Sequence, residues 1–131
     1  MKTIEKKHYV AGFMFSPDFE NVILIQKEKP EWQKGKYNAV GGKIEDVESA
    51  PQAMAREFKE ETSIETKWED WQNLCRIGDE TYVVYFFYTT NENWRDYLTT
   101  TDEEVFHIPV MDLNTIKHQI IPNLEWLIPI I

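Results

Sequence analysis

The stretch from residue 41 to residue 64 constrains the fold of this chain more than any other part of the sequence. It opens with Gly41-Gly42, a pair that allows the backbone to bend sharply and to approach another group closely. Ser49 and Pro51 follow, and these residue types favour the N-cap and the first turn of a helix. The sequence therefore predicts a glycine turn that leads into a helix.

The predicted helix carries three glutamates at helical spacing. Glu57, Glu60 and Glu61 stand at positions i, i+3 and i+4, so a helix places them on one face. One interpretation is a solvated helix face, which is common in globular proteins. The other is a site for a hard divalent cation, since Mg²⁺ prefers carboxylate oxygens and brings substrate phosphates with it.

The spacing around these glutamates favours a cation site. Five residues separate Gly42 from Glu48, and seven more separate Glu48 from Arg56. This pattern resembles the signature of the Nudix (MutT-like) hydrolases, which ends in Arg-Glu-apolar-any-Glu-Glu-any-Gly-apolar. The matching positions are Gly42, Glu48, Arg56, Glu57, Phe58, Glu60, Glu61 and Ile64. Ser63 stands where the family has Gly, a residue that suits the left-handed end of a helix.

The resemblance implies an α+β protein with the Nudix fold, an α/β/α sandwich around a mixed β-sheet. It also implies a metal site whose ligands are the carbonyl of Gly41 and the carboxylates of Glu57, Glu60 and Glu61. Glu57 or Glu61 is alternatively the catalytic group that takes the proton from water. Arg56 is expected to pair with Glu48 and thereby to orient Glu57.

The implied cofactor is Mg²⁺, with Mn²⁺ as a substitute. A bound dication neutralises phosphate charge and lowers the pKa of bound water, which is what hydrolysis of a diphosphate bridge needs. Family members often recruit one more acid from a loop before a late strand. Asp102, Glu103 and Glu104 are the candidates, and Glu104, directly before Val105, is the preferred metal ligand.

The segment 35–43 resembles the corresponding segment of the oxidised-purine nucleoside triphosphatases in this family, where an Asn reads the base. Asn38 occupies that position, and its amide suits bonding to a base edge, although it equally suits a turn. Lys43 is a candidate phosphate contact, and Trp32 is a candidate stacking residue because its loop is polar. Asn123 and the residue after it replace two Asp of that branch, so the acidic pair that reads an 8-oxo-purine is missing.

These observations predict a Mg²⁺-dependent pyrophosphohydrolase that cleaves (deoxy)nucleoside triphosphates to the monophosphate and pyrophosphate, with oxidised purine nucleotides among the candidate substrates. The nearest alternative is the same chemistry on ADP-ribose or another nucleoside diphosphate-linked compound. A third interpretation is a catalytically silent nucleotide-binding module. Such modules usually lose motif acids, whereas this chain keeps Glu57, Glu60 and Glu61.

The length and composition of the chain limit its expected domain count, partners and location. A length of 131 residues predicts one domain over residues 1–131. The net charge of −9 argues against binding a nucleic-acid polymer, although residues 26–43 carry a local net charge of +3 from five lysines and two glutamates. No apolar run could span a bilayer, and the N-terminus lacks the apolar segment of a signal peptide. A single cysteine, Cys75, forms no internal disulfide. We therefore expect a cytoplasmic monomer or homodimer that takes a small nucleotide and binds no membrane.

Hydrophobic patterning predicts a mixture of strands and helices. The helix opened by Ser49 is flanked by strands predicted over residues 8–15, 22–26, 66–76, 80–88 and 105–110. The strand over 22–26 is apolar on both faces, which is typical of a central strand. Trp68 and Trp71 are placed on the strand over 66–76. Residues 123–131 are predicted to form a terminal helix.

Overall fold

The computed structural model describes residues 5–131. Within these residues the chain forms seven strands and two α-helices. The strands are β1 (Lys7–Phe15), β2 (Asn21–Gln26), β3 (Tyr37–Asn38), β4 (Val40–Lys43), β5 (Gln72–Gly78), β6 (Tyr82–Thr90) and β7 (Val105–Pro109). The helices are α1 (Ala50–Thr62) and α2 (Leu124–Leu127), and short 3-10 turns interrupt the longer connections.

All seven strands belong to one mixed sheet with the order β3-β2-β1-β6-β5. Strands β1 and β6 are parallel, and the other strand pairs are antiparallel. One edge of β1 is shared between two partners. Its first half pairs with β4, where Gly42 lies opposite Val10, and its end pairs with β2. Strand β7 adds to β2. This sharing places the glycine turn in the middle of the sheet.

Each face of the sheet covers its own core, because successive side chains of a strand point to opposite faces. Val10 and Met14 of β1 pack with α1, whereas Phe13 and Phe15 pack with the C-terminal segment. The residues of β2 from Val22 to Ile25 are all buried, which confirms that this strand is central. The sheet thus lies between two helical layers, and the predicted α+β architecture with a mixed sheet is confirmed.

Helix α1 begins as predicted. The backbone N–H of Gln52 donates to Ser49 Oγ, and the backbone N–H of Ser49 donates to Gln52 Oε1. The two residues therefore form a capping box. The helix ends at Ser63, whose φ of 70° lies in the left-handed region. Serine there costs on the order of 1 kcal/mol relative to glycine. No helix within residues 5–131 is long and apolar enough to cross a membrane.

The prediction of a strand over residues 66–76 was wrong in its first half. Residues Trp68–Asp70 form a 3-10 turn, and β5 begins only at Gln72. The turn directs Trp71 into the core, where its ring lies 5.2 Å from that of Phe58 and its indole N–H donates to Thr66 Oγ1. Burying a large aromatic side chain against α1 therefore overrides the local preference for a strand.

The predicted terminal helix is shorter than expected. Helix α2 covers only Leu124–Leu127, and a 3-10 turn at Ile128–Ile130 replaces its continuation. Pro129 has no backbone N–H to donate, so an α-helical ladder cannot continue through it. The segment still packs, because Leu124 and Leu127 are buried against the sheet face opposite α1.

Candidate active site

Strand β4 and helix α1 meet at the glycine turn, and this contact positions Glu57. A Cβ at position 42 would lie 2.4 Å from the carboxyl carbon of Glu57, so the carboxylate rests directly on the Gly42 backbone. Position 41 is equally restricted, because a Cβ there would lie 2.0 Å from the carbonyl oxygen of Val10. Only glycine at positions 41 and 42 allows β4 to pair with β1 and to contact a carboxylate of α1.

Arg56 links this carboxylate to its surroundings. Its Nε and Nη2 donate to the two oxygens of Glu48 over 2.6 and 2.9 Å. Its Nη1 donates to Glu57 over 2.9 Å and to Glu60 over 3.2 Å. Nη2 also donates to the carbonyl of Lys43 over 2.9 Å. The expected pair with Glu48 is therefore present, and charge-assisted bonds join α1 to the end of β4.

The pKa values of the carboxylates in the site are shifted in opposite directions. Hydrogen bonding from Arg56 holds the pKa of Glu48 below its usual range. Burial raises the pKa of Glu57, although Arg56 opposes this effect. Burial also raises the pKa of Glu61, and the negative charge of Glu103 adds to the rise. Glu57 and Glu61 are therefore two partly buried charges that a nearby cation would stabilise.

The loop between β6 and β7 covers the last turn of α1. Thr100 Oγ1 donates to the carbonyl oxygen of Glu60, and Thr101 Oγ1 donates to Glu61 Oε2 over 3.0 Å. Within residues 5–131, Glu61 forms no ion pair, so its carboxylate is held by a hydroxyl group alone. This loop therefore fixes the position of Glu61 without neutralising its charge.

Glu103, the neighbour of the predicted ligand Glu104, is the acid of this loop whose charge acts on Glu61. Glu103 accepts hydrogen bonds from Lys27 Nζ over 3.2 Å and from the backbone N–H of Glu28 over 2.8 Å. The negative charge of Glu103 raises the pKa of Glu61, and the positive charge of Lys27 lowers it. Glu104 is exposed, and its carbonyl bonds to the end of β2. The role of Glu104 as a metal ligand therefore stays a prediction, with Glu103 as the neighbouring candidate.

The donor set suits a hard divalent cation, but its side chains are not assembled around one point. In the part of the chain that the structure describes, no three carboxylate, imidazole or thiol groups converge as an ion site. Arg56 donates to both Glu57 and Glu60, so a guanidinium interacts with the charges that a metal would neutralise. The donors are all oxygens, as Mg²⁺ prefers, and the Gly42 backbone already cradles one of them. The donors therefore fit such an ion in their chemistry, and the ligand roles of Glu57, Glu60 and Glu61 stay predictions.

Asn38 lies in β3, opposite Ile25 of β2. Its Nδ2 donates to Gln33 Oε1 over 3.2 Å, and its Oδ1 accepts from the backbone N–H of Ala39 over 2.7 Å. Both ends of the amide are thus used within the protein. The amide therefore supports the local backbone, and the predicted contact of Asn38 with a base edge stays a prediction.

Two other predicted substrate contacts surround β3. Trp32 lies in the 3-10 turn that contains Gln33 and is 62% exposed, so its ring is open to a ligand. Asn123 is exposed at the start of α2. The backbone N–H of Ile121 donates to the carbonyl of Tyr37 over 2.9 Å, which brings the C-terminal segment against β3. Lys43 is also exposed, at the end of β4.

The sequence pattern did not single out Lys27 and Thr101. Lys27 is one of five lysines in a basic stretch, and its position directly after the buried strand β2 is the only sequence signal that singles it out. Thr101 carries no signal, because a run of three threonines is typical of any polar loop. Both residues reach the site through long-range contacts, which spacing along the chain does not encode.

The mixed sheet, the glycine turn and the carboxylate-bearing helix define an α+β protein with an acidic site at the junction of β4 and α1. The family model of the NUDIX domain matches residues 6–127. The chain therefore belongs to the NUDIX domain family, and it is a Nudix hydrolase.

Relatives of this chain are distant. It is 27% identical over 96 residues to an 8-oxo-dGTP diphosphatase from Proteus vulgaris, a match that covers 72% of this chain and 85% of the relative. A MutT structure described for Aliivibrio salmonicida and Vibrio cholerae is 20% identical, with a TM-score of 0.74, and the match covers 97% of this chain and 100% of that one.

Larger proteins contain the same fold. A bifunctional NMN adenylyltransferase/ADP ribose pyrophosphatase from Francisella tularensis, complexed with AMP and a manganese ion, matches with a TM-score of 0.78 at 17% identity. The match covers 99% of this chain and 42% of that protein. The chain likewise spans 46% of a MutT/nudix family protein from Enterococcus faecalis, with 83% of this chain covered, 17% identity and a TM-score of 0.69. At these identities the structures establish the fold alone.

Proposed function

We propose that this chain is a Mg²⁺-dependent pyrophosphohydrolase that cleaves (deoxy)nucleoside triphosphates to the nucleoside monophosphate and pyrophosphate. The observation that carries the proposal is the pair Glu57 and Glu61, whose carboxylates are partly buried and have raised pKa values. Like charges buried side by side are unfavourable unless a cation offsets them. Oxidised purine triphosphates are the first substrates to test, because the Proteus vulgaris relative is named for 8-oxo-dGTP.

The groups that would hold the cation are Glu57, Glu60 and Glu61, the carbonyl of Gly41, and Glu104 or its neighbour Glu103. When bound, the ion would neutralise phosphate charge and lower the pKa of a bound water. Mn²⁺ is the expected substitute, since it accepts the same oxygen ligands.

Glu61 is the better candidate to accept the proton of the attacking water. Glu57 accepts a charge-assisted bond from Arg56, which reduces its basicity. Within the described residues, Glu61 accepts only the hydroxyl group of Thr101 and keeps a raised pKa. Arg56 then acts as a positioning residue, because it holds Glu57 on the Gly42 backbone.

Cationic and aromatic side chains around these acids supply the expected substrate contacts. Lys27 and Lys43 are the proposed phosphate contacts, since the charge of Lys27 acts on Glu61 and Lys43 comes directly after the glycine pair. Trp32 is the proposed stacking residue, and Asn38 and Asn123 are the proposed polar contacts to the base. An amide can donate and accept at once, which suits the mixed pattern of a base edge.

The deciding experiment is a screen with Mg²⁺ of natural and oxidised nucleoside triphosphates and of ADP-ribose, in which both products are quantified. We expect pyrophosphate and a monophosphate from the triphosphates, and loss of turnover after exhaustive chelation. Orthophosphate as the sole product would place cleavage at another bond. Faster turnover of ADP-ribose would favour the alternative substrate class, and no turnover of any compound would favour a binding module.

A further inference from the structure

The loop that joins β6 to β7 completes the C-terminal end of α1. The last carbonyl groups of a helix have no partner within the helix itself. Here the backbone N–H of Leu98 donates to the carbonyl of Thr62 over 2.8 Å, and Thr100 Oγ1 donates to the carbonyl of Glu60. These two bonds dock the loop on the last turn of α1, and the docking brings the next residue, Thr101, to the side chain of Glu61.

Two hydrogen bonds fix the direction of the Thr101 hydroxyl group. The backbone N–H of Glu103 donates to Thr101 Oγ1 over 3.2 Å, and the same oxygen lies 3.0 Å from Glu61 Oε2. A hydroxyl group has one proton to donate, and an ionised carboxylate only accepts. The proton of Thr101 therefore lies on the bond to Glu61. The hydroxyl group accepts from the backbone of one acid and donates to the side chain of another.

The side chain of Glu103 is itself held in place. Its Oε1 accepts from Lys27 Nζ over 3.2 Å, and its Oε2 accepts from the backbone N–H of Glu28 over 2.8 Å. A continuous chain of hydrogen bonds thus runs from the residues after β2 through Glu103 and Thr101 to Glu61 on α1. This chain relates the positions of two acids that lie on different segments of the protein.

Glu61 depends on this chain for its orientation. Within residues 5–131, the Thr101 hydroxyl group is the only hydrogen-bond donor to the Glu61 carboxylate, whereas Glu57 accepts from the guanidinium of Arg56. The bond goes to Oε2, so in this part of the chain Oε1 of Glu61 has no hydrogen-bond partner. A long side chain with several rotatable bonds keeps one orientation only where contacts hold it.

We propose that Thr101 is a positioning residue, whose hydroxyl group holds Glu61 at a fixed place relative to Glu103 and leaves Glu61 Oε1 for the cation or the attacking water. The inference rests on the proposed function for the role of Glu61, but the orientation itself is a property of the metal-free chain. Misplacing a reacting group by about 1 Å costs about 100-fold in rate, so one hydroxyl group is enough to affect catalysis.

Four variants separate positioning from docking of the loop. Thr101→Val removes the hydroxyl group and keeps the β-branched shape, whereas Thr101→Ser keeps the hydroxyl group. Thr100→Val is the matched control, because it removes the neighbouring bond between the loop and α1 but no bond to a carboxylate. Both threonines are exposed, so neither change opens a cavity in the core. Thr101→Ala repeats the loss of the hydroxyl group if Thr101→Val fails to fold.

The first measurement is the order of the Glu61 side chain in the metal-free protein, from NMR relaxation of its methylene groups. We expect a loss of order in Thr101→Val, recovery in Thr101→Ser and parental order in Thr100→Val. Parental order in Thr101→Val, or an equal loss in Thr100→Val, would overturn the proposal whatever the enzyme does with nucleotides.

The second measurement is Mn²⁺ binding without nucleotide. Thr101→Val should weaken Mn²⁺ binding about tenfold, as expected for loss of a group that orients a metal ligand, and Thr101→Ser should restore it. In a Glu61→Ala background, Thr101→Val should have no further effect, because the hydroxyl group then has no carboxylate to hold. An undiminished effect in that background would show that Thr101 does not act through Glu61.

Kinetics complete the test. On the best nucleotide of the substrate screen, Thr101→Val should lower kcat about tenfold and leave KM unchanged, since the hydroxyl group contacts no substrate. A parental kcat in Thr101→Val would refute the positioning role in an active enzyme. If the parent cleaves no nucleotide, the proposed function fails, and the order of the Glu61 side chain still decides whether Thr101 positions it.

Discussion

The motif side of the site comprises the motif positions from Gly42 to Ile64, including Ser63. Here Glu48, Glu57 and Glu60 all bond to the guanidinium of Arg56. The β3 side comprises Trp32, Asn38 and Asn123. Here Asn38 forms neutral hydrogen bonds, and the side chains of Trp32 and Asn123 are exposed. Bidentate and charge-assisted bonds fix geometry, whereas neutral surface contacts leave it adjustable. The difference predicts that substitutions on the β3 side are tolerated better than substitutions on the motif side.

The largest effect is expected from Glu61→Gln on the motif side. The variant should lose at least about 100-fold in kcat at saturating Mg²⁺, which is roughly 2.7 kcal/mol of barrier. Gln keeps the shape and the helix propensity but removes one charge from the metal site. Glu65→Gln, at an exposed residue of the same chain segment, is the control and should retain the parental kcat. Parental kcat in Glu61→Gln would contradict the proposed role.

Glu61→Gln should also change how the stability of the metal-free protein depends on pH. Burial raises the pKa of Glu61, so the folded state binds that proton more tightly than the unfolded state does. The favourable contribution is complete below the unfolded pKa and disappears as the pH rises through the folded value. Glu61→Gln should therefore be at least as stable as the parent at neutral pH, with a smaller stability change between the unfolded value near 4.5 and the raised folded value. Thermal unfolding across this pH range checks the sign of the stability change.

The lowered pKa of Glu48 has the opposite effect on stability, because its favourable contribution disappears as the pH falls through the folded pKa.

Arg56→Lys tests whether the motif side depends on the guanidinium geometry and not only on its charge. Lysine cannot form the fork that reaches both oxygens of Glu48 while also bonding to Glu57. We expect a loss of about 2 kcal/mol in the free energy of unfolding, measured by urea denaturation. Arg76→Lys, at an exposed arginine, should lose far less. Equal losses in the two variants would show that the network contributes little.

Asn38→Ala addresses the β3 side and should have a smaller effect on rate. The best substrate should keep its kcat/KM to within about tenfold, or roughly 1.4 kcal/mol. Discrimination among bases should fall, because a site that bonds to a polar edge rejects analogues that leave its own groups unpaired. The measurement is kcat/KM for natural and oxidised purine and pyrimidine triphosphates. Unchanged ratios would mean that Asn38 only stabilises the turn through Gln33 and Ala39.

The contrast between the two sides also explains what could be read from the sequence. The motif side is built within one turn and one helix, so helical spacing alone predicted that Glu57, Glu60 and Glu61 share a face. The capping residue Ser49 and the departure at Ser63 were predictable for the same reason. The mixed sheet followed from strand patterns together with the family resemblance.

The remainder of the site depends on contacts between distant segments. Lys27 and Glu103 are 76 positions apart in the chain, and Thr101 is 40 positions from Glu61. Helical and strand periodicity carry no information about such pairs, so the sequence offered no means of choosing between Glu103 and Glu104 or of identifying Thr101. The strand at residues 66–71 failed for a related reason, because the burial of Trp71 against α1 is a tertiary effect.

The smallest expected effect is at Ser63, which stands within the motif where the family pattern has Gly. Ser63 has φ 70° and ψ −2°, and its N–H donates to the carbonyl of Lys59 over 2.8 Å. Glycine adopts this conformation without a Cβ clash, but it also has more freedom in the unfolded chain. Ser63→Gly should therefore gain about 0.5–1 kcal/mol in the free energy of unfolding and leave kcat unchanged.

Ser63→Ala is the matched control for that change. It removes the hydroxyl group but keeps the Cβ, so it should give no gain. Urea denaturation of the three proteins at one pH separates the two contributions, because the denaturant dependence m should be the same for all. If Ser63→Gly were no more stable than Ser63→Ala, the left-handed end of α1 would be free of strain. The family glycine would then matter for something other than the helix end, such as the approach of the Thr100 hydroxyl to the Glu60 carbonyl.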